Sequence, residues 1–162
     1  MPGLSKFIVG AAILASVMAT PARADSVVKV SLIDKTGATD MSQSMQLGMG
    51  MKGDMNSAKM GIGINRKVVD RGKVRFDIVN LASTLVHEVI VAPVIDENQV
   101  LAYDAAKTRV DQETIQTLGQ ISEIDPNKSA SMTLELKPGK YVLYCNLPGH
   151  YMAGMWAVIE VK

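Results

Sequence analysis

Hydrophobic and polar residues alternate along much of the chain with a period of two, which is typical of half-buried β-strands. The alternation is clearest at residues 73–79 and 131–136. Apolar runs bounded by turn signals predict further strands, at residues 27–33, 87–91, 141–145 and 155–162. Lys137-Pro138-Gly139-Lys140 is a strong turn signal and joins two of the strands as a hairpin. Several short strands separated by turns indicate an all-β sandwich.

Two segments depart from this pattern. Residues 104–124 contain no proline, and their apolar residues have a partly helical spacing, which predicts one short helix or an irregular insertion between strands. Residues 40–60, the Met-rich segment, carry six methionines among serine, glutamine, glycine, lysine and aspartate: Met41, Met45, Met49, Met51, Met55 and Met60.

The N-terminus has the composition of a cleavable signal peptide. A basic start is followed by an apolar run, and Ala22-Arg23-Ala24 forms a small-x-small cleavage site. The run is shorter than the ~20 apolar residues of a membrane-spanning helix. We therefore expect a signal peptide over residues 1–24 and a domain over residues 25–162. The protein is predicted to be exported to the periplasm, without stable membrane insertion after cleavage.

Charge excludes one class of partner. The chain has 17 basic and 16 acidic residues, giving a net charge of +1, which becomes −1 without Lys6 and Arg23. A nearly neutral domain lacks the basic surface that nucleic-acid binding requires. We therefore expect no nucleic-acid partner.

The one cysteine lies in an unusual setting. An exported protein normally pairs its cysteines in disulfides, so a single cysteine is intermolecular, reactive or occupied by a metal. Cys145 is followed by His150 and Met155 with the spacing C-x4-H-x4-M, across Pro148-Gly149. One loop can therefore present a thiolate, an imidazole and a thioether to a common point.

The chain contains one further histidine, His87, at the start of a predicted strand. Two imidazoles, one thiolate and a weak axial methionine are the donor set of blue-copper electron-transfer sites. Structural zinc sites usually close with four Cys or His ligands, so Met155 favours copper. Taken singly, each of these residues is more often an ordinary core residue; their spacing makes the copper interpretation the stronger one.

The run Tyr-Cys-x-x-Pro-Gly-His-x-x-x-Gly-Met, with a lone upstream histidine, resembles the cupredoxins, the type 1 copper proteins. The C-x4-H-x4-M spacing is most similar to the rusticyanin and sulfocyanin branch. This resemblance implies a Greek-key β-sandwich with one type 1 copper at one end. It also implies that His87, Cys145 and His150 are equatorial ligands and that Met155 is axial. Many members carry Asn or Ser after the upstream histidine, where this chain has Glu88, and the Glu88 N–H is the expected donor to the cysteine sulfur.

Two histidines limit the chemistry. Copper enzymes with a second metal centre need additional imidazoles, so we expect an electron carrier and not an enzyme. The edge of His150 is predicted to reach solvent among Leu147, Pro148, Gly149, Tyr151 and Met152, where a redox or copper-handling protein would dock. We expect the protein to be a monomer.

The Met-rich segment leaves two functions open. Thioethers favour Cu(I), and the six methionines therefore predict additional Cu(I) binding and a role in copper handling or tolerance as well as electron transfer. Alternatively, methionine simply fills gaps in the core. The chain would then be a dedicated soluble electron carrier between respiratory partners, with a purely structural Met-rich segment.

Overall fold

A computed structural model describes residues 25–35 and 46–162. The predicted signal peptide, Met41 and Met45 lie outside the described residues. The described part is almost entirely β-structure, with one short 3-10 helix at Met55–Ser57. Its strands are β1 (Ser26–Asp34), β2 (Met60–Ile64), β3 (Val68–Val69), β4 (Gly72–Asn80), β5 (His87–Val94), β6 (Tyr103–Asp104), β7 (Arg109–Val110), β8 (Gly119–Ile124), β9 (Ser129–Leu136), β10 (Gly139–Tyr144) and β11 (Trp156–Val161).

Nine of the strands form two stacked sheets, and β6 and β7 form a separate two-stranded sheet. The first has the order β2-β1-β4-β9, and the second has the order β3-β11-β10-β5-β8. Most neighbours are antiparallel, while β1 with β4 and β3 with β11 are parallel. The predicted all-β sandwich is confirmed.

The two sheets enclose an inner core. The first sheet contributes alternate residues of its strands, such as Val28 and Val30 of β1 and Phe76 and Ile78 of β4, all almost fully buried. The outward residues of β4, including Arg75, are exposed or half-buried. This first sheet therefore follows the alternation that its sequence predicts, with one face in the core and one towards solvent.

The second sheet is buried on both faces. In β10, Tyr141 and Leu143 point into the inner core, while Val142 and Tyr144 belong to a second group, the outer cluster, on the opposite face. A sheet that is covered on both sides has continuous apolar strands. This explains why residues 141–145 are an unbroken apolar run.

The two irregular segments provide the outer cover. Leu101 and Val110, from the connection between β5 and β8, and Met49, from the Met-rich segment, lie in the outer cluster. Over residues 104–124, which allowed either a short helix or an irregular insertion, the structure has no helix. It has the small β6–β7 hairpin, irregular chain and then β8. The helical alternative is wrong because the apolar side chains meet the sheet through extended chain.

Asn80 ties the end of β4 to the chain that leads into β5. Its side chain is fully buried, and Nδ2 donates to the carbonyl oxygens of Leu85 and Ile124, both at 2.8 Å. Its Oδ1 accepts a hydrogen bond from the Ala82 N–H at 3.0 Å. One side chain thus satisfies three backbone groups, two in the connection before His87 and one at the end of β8.

Replacing Asn80 by alanine should therefore destabilise the protein strongly. An Asn80→Ala variant leaves those backbone groups without partners, at a cost of about 2–4 kcal/mol in unfolding free energy. Denaturant unfolding of the metal-free protein measures this loss. The exposed Asn98 is the control, since Asn98→Ala should change stability by less than about 0.5 kcal/mol. Equal effects of the two substitutions would contradict the role of Asn80.

Candidate metal centre

Three of the four predicted ligands meet at one end of the sandwich. His87 begins β5, Cys145 follows β10, and His150 lies in the turn before β11. The two histidine Nδ1 atoms are 3.2 Å apart, and Cys145 Sγ is 3.4 Å from His150 Nδ1. All three donor atoms lie within 4.8 Å of one another, and all three residues are buried. Metal–nitrogen and metal–sulfur bonds of about 2.0–2.3 Å fit donors at these separations.

The loop from Cys145 to Met155, called the copper loop below, is closed by its own backbone. The Cys145 N–H donates to the Met155 carbonyl, and the Met155 N–H donates to the His150 carbonyl, each at 3.1 Å. Gly149 and Gly154 have φ values of +79° and +96°, which glycine adopts at little cost. The backbone of Met155 is therefore fixed beside both loop ligands.

Met155 is fully buried and belongs to the same core cluster as Cys145. A thioether at this place would be available as a fourth, weaker ligand to a metal held by the other three residues. The soft thiolate, two imidazoles and nearby thioether suit copper better than a metal that prefers oxygen ligands.

Burial sets the protonation of the donors. Desolvation, and then the proximity of His150, lower the pKa of His87 from 6.5 to about 4, and burial also lowers the pKa of His150. Both imidazoles are therefore neutral near pH 7 and can bind a metal without losing a proton. Burial raises the pKa of the Cys145 thiol to about 12. A bound cation would supply the opposite charge that a thiolate needs at this position.

The site also contains a buried carboxylate. The pairing of β5 with β8 shifts register between His87 and Val89, where Glu88 faces two residues of a bulge in β8, Ser122 and Glu123. Its N–H donates to Cys145 Sγ at 3.5 Å, as the sequence predicts. Its Oε1 accepts from the Asn146 N–H at 2.9 Å, and its Oε2 accepts from Gln120 Nε2 at 3.1 Å. Glu88 thus joins the strand of one ligand to the loop that carries the others.

Asn146 and Gln120 are residues that the sequence analysis missed. Asn146 is buried, and its side chain accepts from the Val110 N–H at 2.6 Å and donates to the Val110 carbonyl at 3.0 Å. It therefore attaches the β6–β7 insertion to the copper loop. The one available signal was a polar residue directly after Cys145 at the end of an apolar strand.

The described methionines of the Met-rich segment do not form one cluster. Met60 lies in the inner core and Met49 in the outer cluster, and both are fully buried. Met51 is half-buried, and Met55 is exposed. Of the four, only Met51 and Met55 are therefore open to a metal ion from solvent.

The predicted collar around His150 is smaller than expected. His150 is 8% exposed, Pro148 is exposed, and Leu147 and Met152 are half-buried. The sequence predicts Tyr151 in this collar. The structure instead buries Tyr151 fully in the outer cluster, where it packs edge-to-face against Tyr144.

The metal-free protein should lose stability as the pH falls. The pKa of His87 is about 4 in the folded chain and 6.5 as the reference value. The unfolded chain therefore takes up the proton first, and stability falls between about pH 6.5 and pH 4. The difference corresponds to roughly 3 kcal/mol.

Urea unfolding of metal-free wild type and His87→Gln across pH 4–7 tests this prediction. Both proteins share the remaining titratable groups, so the wild type should lose roughly 3 kcal/mol more than the variant. Parallel curves for the two proteins would exclude His87 as the cause.

Comparisons with known proteins agree with this geometry. Residues 49–162 match the family model described as copper binding proteins, plastocyanin/azurin family. No curated protein sequence matches the chain. The described part contains no helix long and apolar enough to cross a membrane.

Solved structures are similar in fold. Rusticyanin from Thiobacillus ferrooxidans is 16% identical, with a TM-score of 0.54 over 87% of this chain and 79% of that chain. A structure of rusticyanin variants has 15% identity and a TM-score of 0.55, with the same coverage. Reduced auracyanin from Roseiflexus castenholzii has 18% identity and a TM-score of 0.48 over 85% of this chain and 96% of that chain. With the family model covering residues 49–162, the chain belongs to the copper-binding proteins of the plastocyanin/azurin family, the cupredoxins.

Proposed function

We propose that this protein carries single electrons through one type 1 copper. His87, Cys145 and His150 are the equatorial ligands in this proposal, and Met155 is the axial ligand. The observation that carries it is the meeting of the three donor atoms within 4.8 Å in a buried site. Copper at such a donor set supplies the Cu(I)/Cu(II) couple.

The chain's own contribution is to hold the donors still. The hydrogen bonds that close the copper loop, and the attachment of Glu88 to Asn146, fix the ligands before a metal binds. Electron transfer is fast when the ligands move little between the two oxidation states. Burial also keeps water from the metal, which disfavours reactions with small molecules.

The histidine count supports a carrier and not an enzyme. The sequence has two histidines, and both lie in this one site. A second, catalytic copper centre with imidazole ligands would have no histidine left. The protein therefore passes electrons between partners without converting a substrate.

The partner would dock where the copper ligand approaches the surface. The edge of His150, with exposed Pro148 and half-buried Leu147 and Met152, gives a small, partly apolar surface. Transient redox contacts are small, below about 1,200 Å² in total. A redox or copper-handling protein fits this place, and the protein acts as a monomer in the periplasm after export.

A role in copper handling is the second part of the proposal. The Met-rich segment packs directly on the copper loop, since the Leu47 N–H donates to the Met152 carbonyl at 3.1 Å. Trp156 Nε1 donates to the Leu47 carbonyl at 2.6 Å. The described part of this segment therefore contacts the loop that carries Cys145 and His150. The full burial of Met49 and Met60 supports the alternative, a dedicated carrier in which these methionines are structural.

Cu(II) added to the metal-free protein should produce an intense visible band. The band arises from charge transfer between the Cys145 thiolate and copper, so Cys145→Ser should abolish it. Met155→Leu is the matched control, because it removes the axial thioether and keeps the thiolate, and the band should persist. Absorption titration measures both. A colourless wild type, or a band that survives Cys145→Ser, would exclude the proposed centre.

Glu88→Gln should raise the reduction potential of the copper-loaded protein. A carboxylate near the metal favours the more positive Cu(II) state, while glutamine keeps the shape and an acceptor oxygen. One charge at an effective dielectric constant near 20 contributes about 1–3 kcal/mol over several ångströms. This is roughly 40–130 mV for a one-electron couple.

Spectroelectrochemical titration measures the change. Glu97→Gln, at an exposed position, is the control and should shift the potential far less because solvent screens it. An unchanged or lower potential in Glu88→Gln would contradict the electrostatic role.

A further inference from the structure

A tight turn of the Met-rich segment lies against the copper loop. The Met51 N–H donates to the Gly48 carbonyl at 3.0 Å, and Gly50 has a φ of +76°, as a type II turn requires at that position. The turn sends Met49 into the outer cluster and brings Met51 back over Gly48.

Two thioether sulfurs converge over Gly48. A Cβ placed on Gly48 would lie 3.2 Å from Met51 Sδ and 3.3 Å from Met152 Sδ. The two sulfurs are therefore at most the sum of these distances, 6.5 Å, apart. The same Cβ would lie 2.7 Å from the Tyr151 ring, so this approach of segment and loop requires glycine.

The chemistry of this pair selects a soft cation. Thioethers favour Cu(I) over hard divalent ions, and they carry no proton that a metal must displace. Both methionines are half-buried, so neither is fully enclosed in the core.

The position of the pair links it to the type 1 site. Met152 is two residues from His150, within the same turn of the copper loop. We propose that Met51 and Met152 form a Cu(I)-binding site at the rim of the copper loop, and that Cu(I) passes from it to the stronger ligands inside. The metal stays Cu(I) during this exchange, and the Cys145 thiol releases its proton to solvent. The inference rests on the proposed copper-handling function.

A direct test uses the mature protein with the type 1 site disabled by Cys145→Ser. Anaerobic Cu(I) titration against a chromophoric chelator should show binding in this background. Adding Met51→Leu or Met152→Leu should weaken the affinity at least tenfold. Met132→Leu is the matched control: Met132 is also half-buried, and its sulfur also lies over a glycine, at 3.2 Å from a Cβ on Gly119, between other strands. It should leave the affinity unchanged.

Methyl NMR gives a readout that needs no methionine variant. With methionine labelled at Cε, Ag(I), a redox-inert probe for Cu(I), should shift the Met51 and Met152 signals and leave those of Met60 and Met132 in place. Unchanged Cu(I) affinity in both variants, or an equal loss in Met132→Leu, would overturn the site, as would shifts confined to other methionines.

The visible Cu(II) band separates failure of this site from failure of the main proposal. With Cys145 present, Met51→Leu and Met152→Leu should keep the band. A normal band with unaffected Cu(I) binding refutes the rim site alone, while a wild type without the band refutes the type 1 centre.

Discussion

The structure depends on holding two imidazoles and a thiol together where water is largely excluded. Donors within 4.8 Å of one another, with little hydration to support charge, stay neutral until a cation arrives. The lowered pKa of His87 and the raised pKa of Cys145 are consequences of that burial. Such a site keeps its shape only if the surrounding backbone holds the three donors at fixed separations. The hydrogen bonds of Glu88 and those that close the copper loop do this.

Glu88, opposite the bulge in β8, shows how one residue can meet several of these needs. Its N–H donates to the cysteine sulfur, and its carboxylate accepts from the backbone N–H after that cysteine. Gln120 satisfies the remaining carboxylate oxygen. A buried carboxylate is costly without such partners. The Glu88 charge therefore depends on the hydrogen bonds from Asn146 and Gln120.

The sequence predicted the β-sandwich because its strands either alternate or are continuously apolar. It also predicted which donors belong together, because Cys145, His150 and Met155 share one loop and His87 is the remaining histidine. It could not assign the two irregular segments. Their apolar residues lack a clear period because they cover the outer face of the second sheet through extended chain and turns. The partnership of Asn146 with Val110, and that of Met51 with Met152, join residues far apart in sequence and have no local signal.

Charge around the site bears on both of the proposed functions, electron transfer and copper handling. Cu(II), the Cys145 thiolate and the Glu88 carboxylate together have no net charge, whereas Cu(I) with the same two groups has one negative charge in a poorly solvated region. The buried carboxylate therefore favours the oxidised state. The thioether pair at the rim favours the reduced ion. In the proposed copper-handling function, Cu(I) that moved inward from the rim would reach ligands that favour loss of its electron, and the adjacent edge of His150 is where a docked partner would accept it.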